Sequence, residues 1–514
     1  MLHSPGDPNF SAWGTGVDEV LAGKLDTTVA SSTYARVAAP PTIDTDYATL
    51  ELALTATPTG GTLEVRGTWS RATAFVVNKT CTVRFWRSAS ITVTDATIAA
   101  ITVSANDVVL DGLRVFGTGS TTASTGSGVT AVGTAIAPIT GLRIRSPKVQ
   151  DFTKYGILLE QCWDFAIERP RIDNIAYAGI MALSCVGGNI DGGTVKNITQ
   201  PSGFTNSYGI AMTRNSSQNI TDAPRSSGIT VNGVTVDGVP LWEGIDTHGG
   251  QQLTITNNKV FNTKVGIALV ACPNASAVDT YAPTGIIVIG NTIDAKVSDG
   301  SRSQGINIVG AGITVGAPVE YATAIVSGNT IIDHGNEATV AYSGGIQAYF
   351  TQGTVISNNR IVRPAHCGVL AYHSNDGLIV ANNTVEDAWS NGQAFAAAVE
   401  LRSTNNTVTV SGTQILRAAK TATYVNTRGL DASNATANVV TDGGGNQWSK
   451  ATLPVVGVTN VLTGGVYGAA QVVRAAAVTT PTAPSAAYVQ AEATAMKTAV
   501  DAIRTALKNY GITL

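Results

Sequence analysis

The sequence is poor in charge, in histidine and in long apolar runs. Asp, Glu, Lys and Arg make up 13% of its 514 residues, the net charge is −3 and there are five histidines. Without a basic block, nucleic acid is not an expected partner. Without an apolar run of membrane-spanning length, membrane insertion is not expected either. The first stretch, MLHSPGDPNFSAWG, lacks the apolar centre of a secretory signal peptide.

Cysteine and helix-forming residues are also scarce. The five cysteines are odd in number and scattered, with no CxxC pair. This spacing predicts neither a disulfide framework nor a zinc site, so no metal and no other cofactor is expected. Glycine, in contrast, occurs 54 times, and Thr, Val and Asn are abundant. Such a composition favours strands and turns and predicts an all-β protein.

A short unit recurs along the chain: apolar, any residue, apolar, two turn residues, any residue, apolar. Copies begin 23 residues apart at Leu142 and Phe165 and 24 apart at Ile229 and Leu253. Such a unit cannot bury its inner face alone, but stacked copies can, with a rise of roughly 4.8 Å per coil. Asparagines fall at one turn of the unit and are predicted to bond from coil to coil. They are Asn257, Asn258, Asn291, Asn329, Asn358, Asn359, Asn382 and Asn383.

This repeat resembles the right-handed parallel β-helix of the pectate-lyase type, over residues 44–447. Ile255, Ile287, Val288 and Ile325 are predicted to line its core, with the register of the Ile286 copy open by one residue. The stretch DTDYATLELALTA predicts an N-terminal capping helix. Asp44 or Asp46 is its expected N-cap, with Tyr47, Leu50 and Leu54 on one face.

The C-terminal segment has a different pattern. Residues 448–485 read as a linker region, and residues 486–514 as an α-helix with a heptad repeat. Its apolar seam is Val489, Ala493, Met496, Val500, Ile503, Leu507 and Tyr510. Leu507 at heptad position a and Ile503 at position d favour a coiled coil of three or more helices. The pattern therefore predicts a coiled coil that makes a homotrimer. An amphipathic helix docked on the solenoid is the alternative.

The whole plan resembles phage tail spikes and receptor-binding minor tail proteins. That resemblance implies an extracellular, virion-bound protein that binds, and in some cases degrades, a host surface polysaccharide. Residues 1–43 would then attach it to other phage tail proteins. Two alternatives stay open: a free polysaccharide lyase, hydrolase or epimerase, and a purely structural fibre trunk.

The stretch WEGIDTH concentrates ionisable residues. If Ile245 points inward, strand alternation sends Asp246 and His248 outward on one face. Only 8 residues separate Ile245 from the next repeat, whereas 19 separate Ile210 from Ile229 and Ile267 from Ile286. A short arc between two long arcs predicts a trough that contains His248. His248 is the predicted acid or base, with Asp246 orienting it and Glu243 as partner acid.

Asp246 and His248 are similar to the Asp and His of the Asp-Pro-His motif in mannuronan epimerases and related alginate-acting enzymes. Thr247 replaces the proline and Gly249 the acid that usually follows. The alternative is a solvated pair on the outer face.

Four further residues are predicted to bind substrate: Trp242, Tyr349 and Tyr372 by stacking on sugar rings, and Arg214 by neutralising an anionic glycan. Phe350 and Trp389 are additional candidate platforms, unless all of these aromatics are ordinary surface residues. Glu400 and Arg402 are expected to form an exposed ion pair.

Overall fold

The protein is a stack of parallel β-coils with three strands in most coils. The computed structural model describes residues 47–119, 124–295, 303–335, 344–389, 396–404, 406–418, 427–436, 439–448, 451, 453–456 and 461–463. The predicted arm (1–43) and coiled-coil segment (486–514) lie outside these residues. Parallel coils continue to Val461–Thr463, beyond the predicted trunk end at residue 447. None of the described helices has the length and apolar character that a membrane crossing requires.

The first sheet takes one strand from each coil, except that Ile139–Thr140 and Arg143–Arg145 belong to the same coil. Neighbouring strands pair in parallel, from the first coil to the last. Its strands are Thr62–Val65, Thr82–Phe85, Val109–Asp111, Ile139–Thr140, Arg143–Arg145, Cys162–Glu168, Val186–Asp191, Ser227–Asn232, Thr254–Thr256, Ile286–Ile289, Ala324–Ser327, Val355–Ser357, Leu378–Ala381, Thr407–Ser411, Val439–Gly444 and Val461–Thr463.

The second and third sheets are continuous, because two long strands, Thr235–His248 and Lys259–Val270, take part in both. The other strands of the second sheet are Thr68–Arg71, Ser90–Val93, Arg114–Phe116, Lys148–Phe152, Arg171–Ile175, Thr194–Ile198, Thr292–Asp294, Thr330–Ile332, Arg360–Val362, Thr384–Ala388 and Gln414–Ala418. Those of the third sheet are Phe75–Val77, Ala99–Val103, Ser127–Val132, Tyr155–Glu160, Ala178–Leu183, Tyr208–Thr213, Ile306–Val309, Ile346–Tyr349, Cys367–His373, Ala396–Thr404, Thr427–Thr436 and Leu453–Val456. A hairpin (Cys272–Pro273 with Asp279–Tyr281) and a 3₁₀ turn (Ile313–Val315) stand outside the coils.

The core is a column of inward-pointing aliphatic side chains. Ile255 and Val288 are fully buried and lie in register on neighbouring coils, as predicted. The prediction was wrong for Ile287 and Ile325. The residue that continues the column after Val288 is Val326, so alternation turns Ile325 outward, where it is 46% exposed. The first and third positions of these copies therefore point inward, and the prediction placed Ile287 and Ile325 one residue out of register.

The asparagine turns form the coil-to-coil ladder that the repeat predicts. Asn258, Asn291, Asn329, Asn359 and Asn383 are buried. The Nδ2 of each of the first four donates to the Oδ1 of the next amide at 2.9–3.0 Å, and the Nδ2 of Asn383 donates to the Ile356 carbonyl. Each amide also bonds backbone groups, so no polar atom of the row is left buried and unsatisfied. The residue before each ladder asparagine has a positive φ, as at Asn257 (56°) and Gly290 (70°). Asn and Gly tolerate that conformation, which explains why these two residues share the position.

A short helix precedes the first coil and begins later than the predicted capping helix. It spans Leu50–Ala56, and its N-cap is Thr49, whose hydroxyl accepts a hydrogen bond from the Leu52 amide at 3.2 Å. The expected N-caps, Asp44 and Asp46, lie outside the described residues. Leu50 and Leu54 are buried in the core, and the helix packs against strands of the first coil. Tyr47 precedes the helix and is partly buried on the same core.

Candidate functional site

The ionisable residues of WEGIDTH lie on the outer face of the third sheet. Ile245 is buried in the core, and Thr247 also points inward, donating its hydroxyl to the Met212 carbonyl at 2.6 Å. Alternation therefore places Asp246 and His248 on the outer face. Asp246 Oδ1 and His248 Nε2 are 3.4 Å apart. Glu243 joins them, so that ligand atoms of all three side chains lie within 4.8 Å of one another.

This cluster is buried, although its strand face is the outer one. Asp246 is 0% and Glu243 5% exposed, while the His248 side chain is 28% exposed. Tyr208 stands beside Glu243 on the preceding coil and meets the His248 ring edge-on, with the ring centroids 6.2 Å apart. The alternative of a solvated surface pair is therefore wrong, because side chains of neighbouring coils cover the carboxylates.

Burial dominates the electrostatics of the cluster. It raises the pKa of Glu243 to about 7 and that of Asp246 well above its usual range, the latter helped by the charge of Glu243. It lowers the pKa of His248 to about 4. In each case the low-dielectric surroundings disfavour the charged form. When both carboxyl groups are ionised, Glu243 Oε2, both oxygens of Asp246 and His248 Nε2 have no hydrogen-bond partner among the described residues. A proton on either carboxyl group would be shared between Glu243 and Asp246.

The predicted trough is closed just beyond His248, at Gly249, whereas the His248 side chain keeps 28% of its surface exposed. Arg225 donates to the Gly249 carbonyl at 2.6 Å, bonds the Ala282 carbonyl and forms an ion pair with Glu320 at 3.1 Å. These bonds draw the two long arcs together across the short one. A Cβ on Gly249 would lie 2.9 Å from the Tyr281 carbonyl oxygen, so no open space remains there.

Arg214 lies within the same closure and not at an accessible surface. It is 3% exposed, and its guanidinium donates to the carbonyls of Ala223, Pro273 and Gln218. The guanidinium also stacks over the Tyr281 ring, 5.2 Å from its centroid. These bonds connect two arcs of the chain. Arg214 is therefore a structural arginine and not part of the candidate substrate site.

An open cleft of about 860 Å³ lies on the same edge of the third sheet, nearer the N-terminus. One wall is the loop of residues 132–136 and the other is the arc of residues 215–222. Glu160 and Gln161 lie between the walls. The cleft arises because the short turns at Gln161 and Ser184 stand between longer connections on either side. A cleft beside short turns that stand between long arcs is therefore present, but at Glu160 and not at His248, three coils further on.

The predicted aromatic platforms are separated from the Glu243 cluster. Tyr349 and Tyr372 pack edge-on with ring centroids 5.0 Å apart, and both are partly exposed. Tyr349 lies three coils beyond His248, about 14 Å along the axis. Phe350 is fully buried, so it is not a platform. Trp242 is closer to the cluster, and the ammonium group of Lys264 lies 4.5 Å from its ring centroid.

A second acid–histidine cluster, which sequence reasoning missed, lies further along the same face. Glu400 is 0% exposed and contacts both His366 Nε2 and the Arg402 guanidinium. The expectation of an exposed Glu400–Arg402 pair was therefore wrong, since the coils on either side bury the carboxylate. Asp431 follows Glu400 in register on the next coil and pairs with Arg428. His366 comes from another coil, and no sequence pattern connects it to Glu400.

The fold class follows from the parallel coils and one family comparison. Residues 243–442 match the family model described as a right handed beta helix region. The described part of the chain is a right-handed parallel β-helix.

Several solved structures share this architecture at low identity. The catalytic unit of a thermostable GH87 α-1,3-glucanase from Streptomyces thermodiastaticus strain HF3-3 is 14% identical, with a TM-score of 0.45, over 77% of this chain and 65% of that chain. The Dettilon tailspike protein is 14% identical, with a TM-score of 0.35, over 77% and 62%. The receptor-binding protein of bacteriophage Det7 is 12% identical, with a TM-score of 0.46, over 84% and 77%. Similarity of this degree carries no statement about activity. No curated protein matches the chain significantly in sequence.

Proposed function

We propose that the protein binds a host cell-surface polysaccharide as a tail spike or related minor tail protein of a phage. The observation that supports glycan binding best is the cleft between residues 132–136 and residues 215–222. Its volume of about 860 Å³ lies within the range of small-molecule sites. Its lining consists of carboxylates, amides and a few apolar side chains, the mixture that a sugar with hydroxyl and C–H faces requires.

The polar groups of the cleft are held in place by the protein. Gln161 is 4% exposed, and its Nε2 donates to the Asp222 carbonyl, which leaves its Oε1 buried without a hydrogen bond to any described atom. Asn215 Nδ2 donates to Glu160 Oε1 at 3.1 Å. These fixed acceptors suit the hydroxyl donors of a sugar. At the rim, Ile136 is 97% exposed and offers an apolar contact for a ring face.

The lining favours a neutral glycan over an anionic one. Glu160 and Asp222 are both acidic, and no Lys or Arg of the described chain lines the cleft. A uronate placed here would meet like charge without a compensating cation. An anionic polysaccharide is therefore disfavoured at this site, which separates the proposal from the uronate chemistry that the Asp-x-His resemblance implies.

The Glu243 cluster is the candidate for any cleavage of the bound glycan. Glu160 lies three coils before His248 on the same face, about 14 Å along the axis, so a polysaccharide lying along the sheet reaches both. A free polysaccharide-degrading enzyme would use the same surface. Release of shortened glycan by a protein that is absent from virions would favour the free enzyme. A purely structural trunk would bind no glycan.

The test of glycan binding uses the full chain and a panel of neutral, amino and uronic-acid oligosaccharides. Ile136→Glu, at an exposed rim position, and Gln161→Leu, of similar size, are expected to weaken binding of a neutral oligosaccharide at least tenfold. Ile325→Glu is the matched control, because Ile325 is 46% exposed on the first sheet, outside the cleft lining. Unchanged binding in both cleft variants would contradict the proposal, as would a preference for uronic-acid oligosaccharides.

The virion and trimer assignments rest on the resemblance and on the heptads of residues 486–514. We expect the full chain to have the solution mass of a trimer and a chain ending near Thr480 to lose it. A monomeric full chain would contradict the coiled-coil prediction. A trimer that survives truncation would place the interface on the β-helix instead. Attachment through residues 1–43 predicts that deleting this arm prevents incorporation into virions.

A further inference from the structure

The atoms of the Glu243 cluster are spaced like the ligands of a metal ion. Glu243, Asp246 and His248 each offer one ligand atom, and these atoms lie within 4.8 Å of one another. The distance from Asp246 Oδ1 to His248 Nε2 is 3.4 Å. Two ligands bound tetrahedrally to zinc at about 2.1 Å each are separated by about 3.4 Å. One edge of a coordination tetrahedron is therefore already formed.

Unpartnered buried atoms point independently to a bound ligand. Asp246 is 0% and Glu243 5% exposed, yet both Asp246 oxygens and Glu243 Oε2 make no hydrogen bond with any described atom. Buried polar atoms of this kind are rare in native proteins, because each loses its bonds to water without replacement. A single cation between the three side chains satisfies these atoms together.

The charge of the cluster leads to the same conclusion. No Lys or Arg within the described chain forms an ion pair with Glu243 or Asp246. Lys264, on the neighbouring strand, interacts electrostatically with Glu243, but its ammonium group lies over the Trp242 ring and forms no ion pair with the carboxylate. Within the described chain, two carboxyl groups are thus buried side by side without a Lys or Arg in ion-pair contact, an arrangement that a divalent ion stabilises.

We propose that Glu243, Asp246 and His248 bind one divalent transition-metal ion of the zinc type. An imidazole with two carboxylates suits zinc or a similar ion, whereas calcium takes six to eight oxygen ligands. Three protein ligands leave a coordination position for water or a glycan oxygen. The proposal concerns the chain alone and is tested without glycan, so it stands or fails separately from the proposed function.

The second cluster offers an internal comparison. His366, Cys367 and Glu400 also place ligand atoms within the same distance of one another. There, however, the carboxylate already contacts His366 and the Arg402 guanidinium. A metal ion would have to displace a guanidinium from a buried carboxylate. We therefore expect no metal at this cluster, and Cys367→Ala serves as a matched control variant.

The test is calorimetric titration of the chelator-stripped full chain with Zn²⁺, repeated with Co²⁺ to record its visible absorption. We expect one ion per chain for the wild type and for Cys367→Ala. Asp246→Asn is expected to weaken binding by more than about 100-fold, beyond the effect typical of an outer-shell change. His248→Gln, at a side chain that is 28% exposed, supplies a second ligand variant should Asp246→Asn fold poorly.

Three outcomes would overturn the proposal: no ion bound by the wild type, unchanged affinity in a folded ligand variant, or loss of binding in Cys367→Ala. Melting curves with and without Zn²⁺ give a second readout. The wild type should melt at a higher temperature with Zn²⁺, and the folded ligand variants should not.

Discussion

Two buried acid clusters on one face of the β-helix differ in how their charge is compensated. Asp246 and Glu400 occupy the same outward position, related by the in-register column Asp246, Ala268, Asn307, Gln347, Leu370 and Glu400. They are five coils apart, about 24 Å. Both are 0% exposed. Two residues after Glu400 comes Arg402, which pairs with it, whereas two residues after Asp246 comes His248.

The two clusters also differ in the residue that stands three positions before a buried acid. Asp431, the next acid of the column after Glu400, has Arg428 at that position and pairs with it. Asp246 has Glu243 there, a second carboxylate. The same strand geometry thus produces a compensated ion-pair cluster with arginine at these positions and an uncompensated one with Glu and His. A buried carboxylate that is paired with an arginine is expected to have a structural role. A buried carboxylate without such a pair is a candidate functional site.

The largest expected effect is at the compensated cluster. Arg402→Met removes the guanidinium but keeps much of the apolar stem, which leaves Glu400 buried with less compensation. We expect the free energy of unfolding to fall by about 3–5 kcal/mol, measured by urea denaturation. A fall below about 1 kcal/mol would mean that the pair contributes little and that the two clusters do not differ as described.

A smaller effect of opposite sign is expected at the uncompensated cluster. Asp246→Asn in the chelator-treated chain at pH 8 replaces a buried carboxyl group that has no ion-pair partner among Lys and Arg of the described residues. The free energy of unfolding should stay unchanged or rise by up to about 1 kcal/mol in the same assay. If it falls by as much as in Arg402→Met, Asp246 has a compensating partner and the contrast between the clusters fails.

The smallest effect comes from converting one cluster toward the other. His248→Arg places a guanidinium two residues after Asp246, as in the Glu400 cluster. We expect a gain below about 1 kcal/mol in the metal-free chain, since part of the new side chain stays hydrated. Zn²⁺ binding should be lost at the same time. Retained Zn²⁺ affinity in this variant would show that His248 is not a ligand.

Regular features of the fold could be predicted from the sequence. The asparagine turns, the outward position of Asp246 and the buried Ile255 follow from local rules of backbone conformation and strand alternation. Ile325 was misplaced because both it and its neighbour Val326 are aliphatic, so the pattern alone left the register open.

The site was harder to predict, because its properties depend on other coils. The burial of Asp246 comes from neighbours such as Tyr208, 38 residues earlier in the sequence. Closure of the predicted trough depends on the bonds of Arg225 to Gly249 and Ala282. His366 and Glu400 are 34 residues apart, and only the stacking of coils brings them together. No local pattern encodes contacts of this kind.

If the two clusters differ in charge compensation, the Glu243 cluster binds a cation and the Glu400 cluster does not. The most direct measurement is an anomalous difference map at the zinc absorption edge, from crystals of the full chain grown with Zn²⁺. We expect a zinc peak coordinated by Glu243, Asp246 and His248, and no peak between His366, Cys367 and Glu400. A peak at the second cluster, or none at the first, would contradict this expectation.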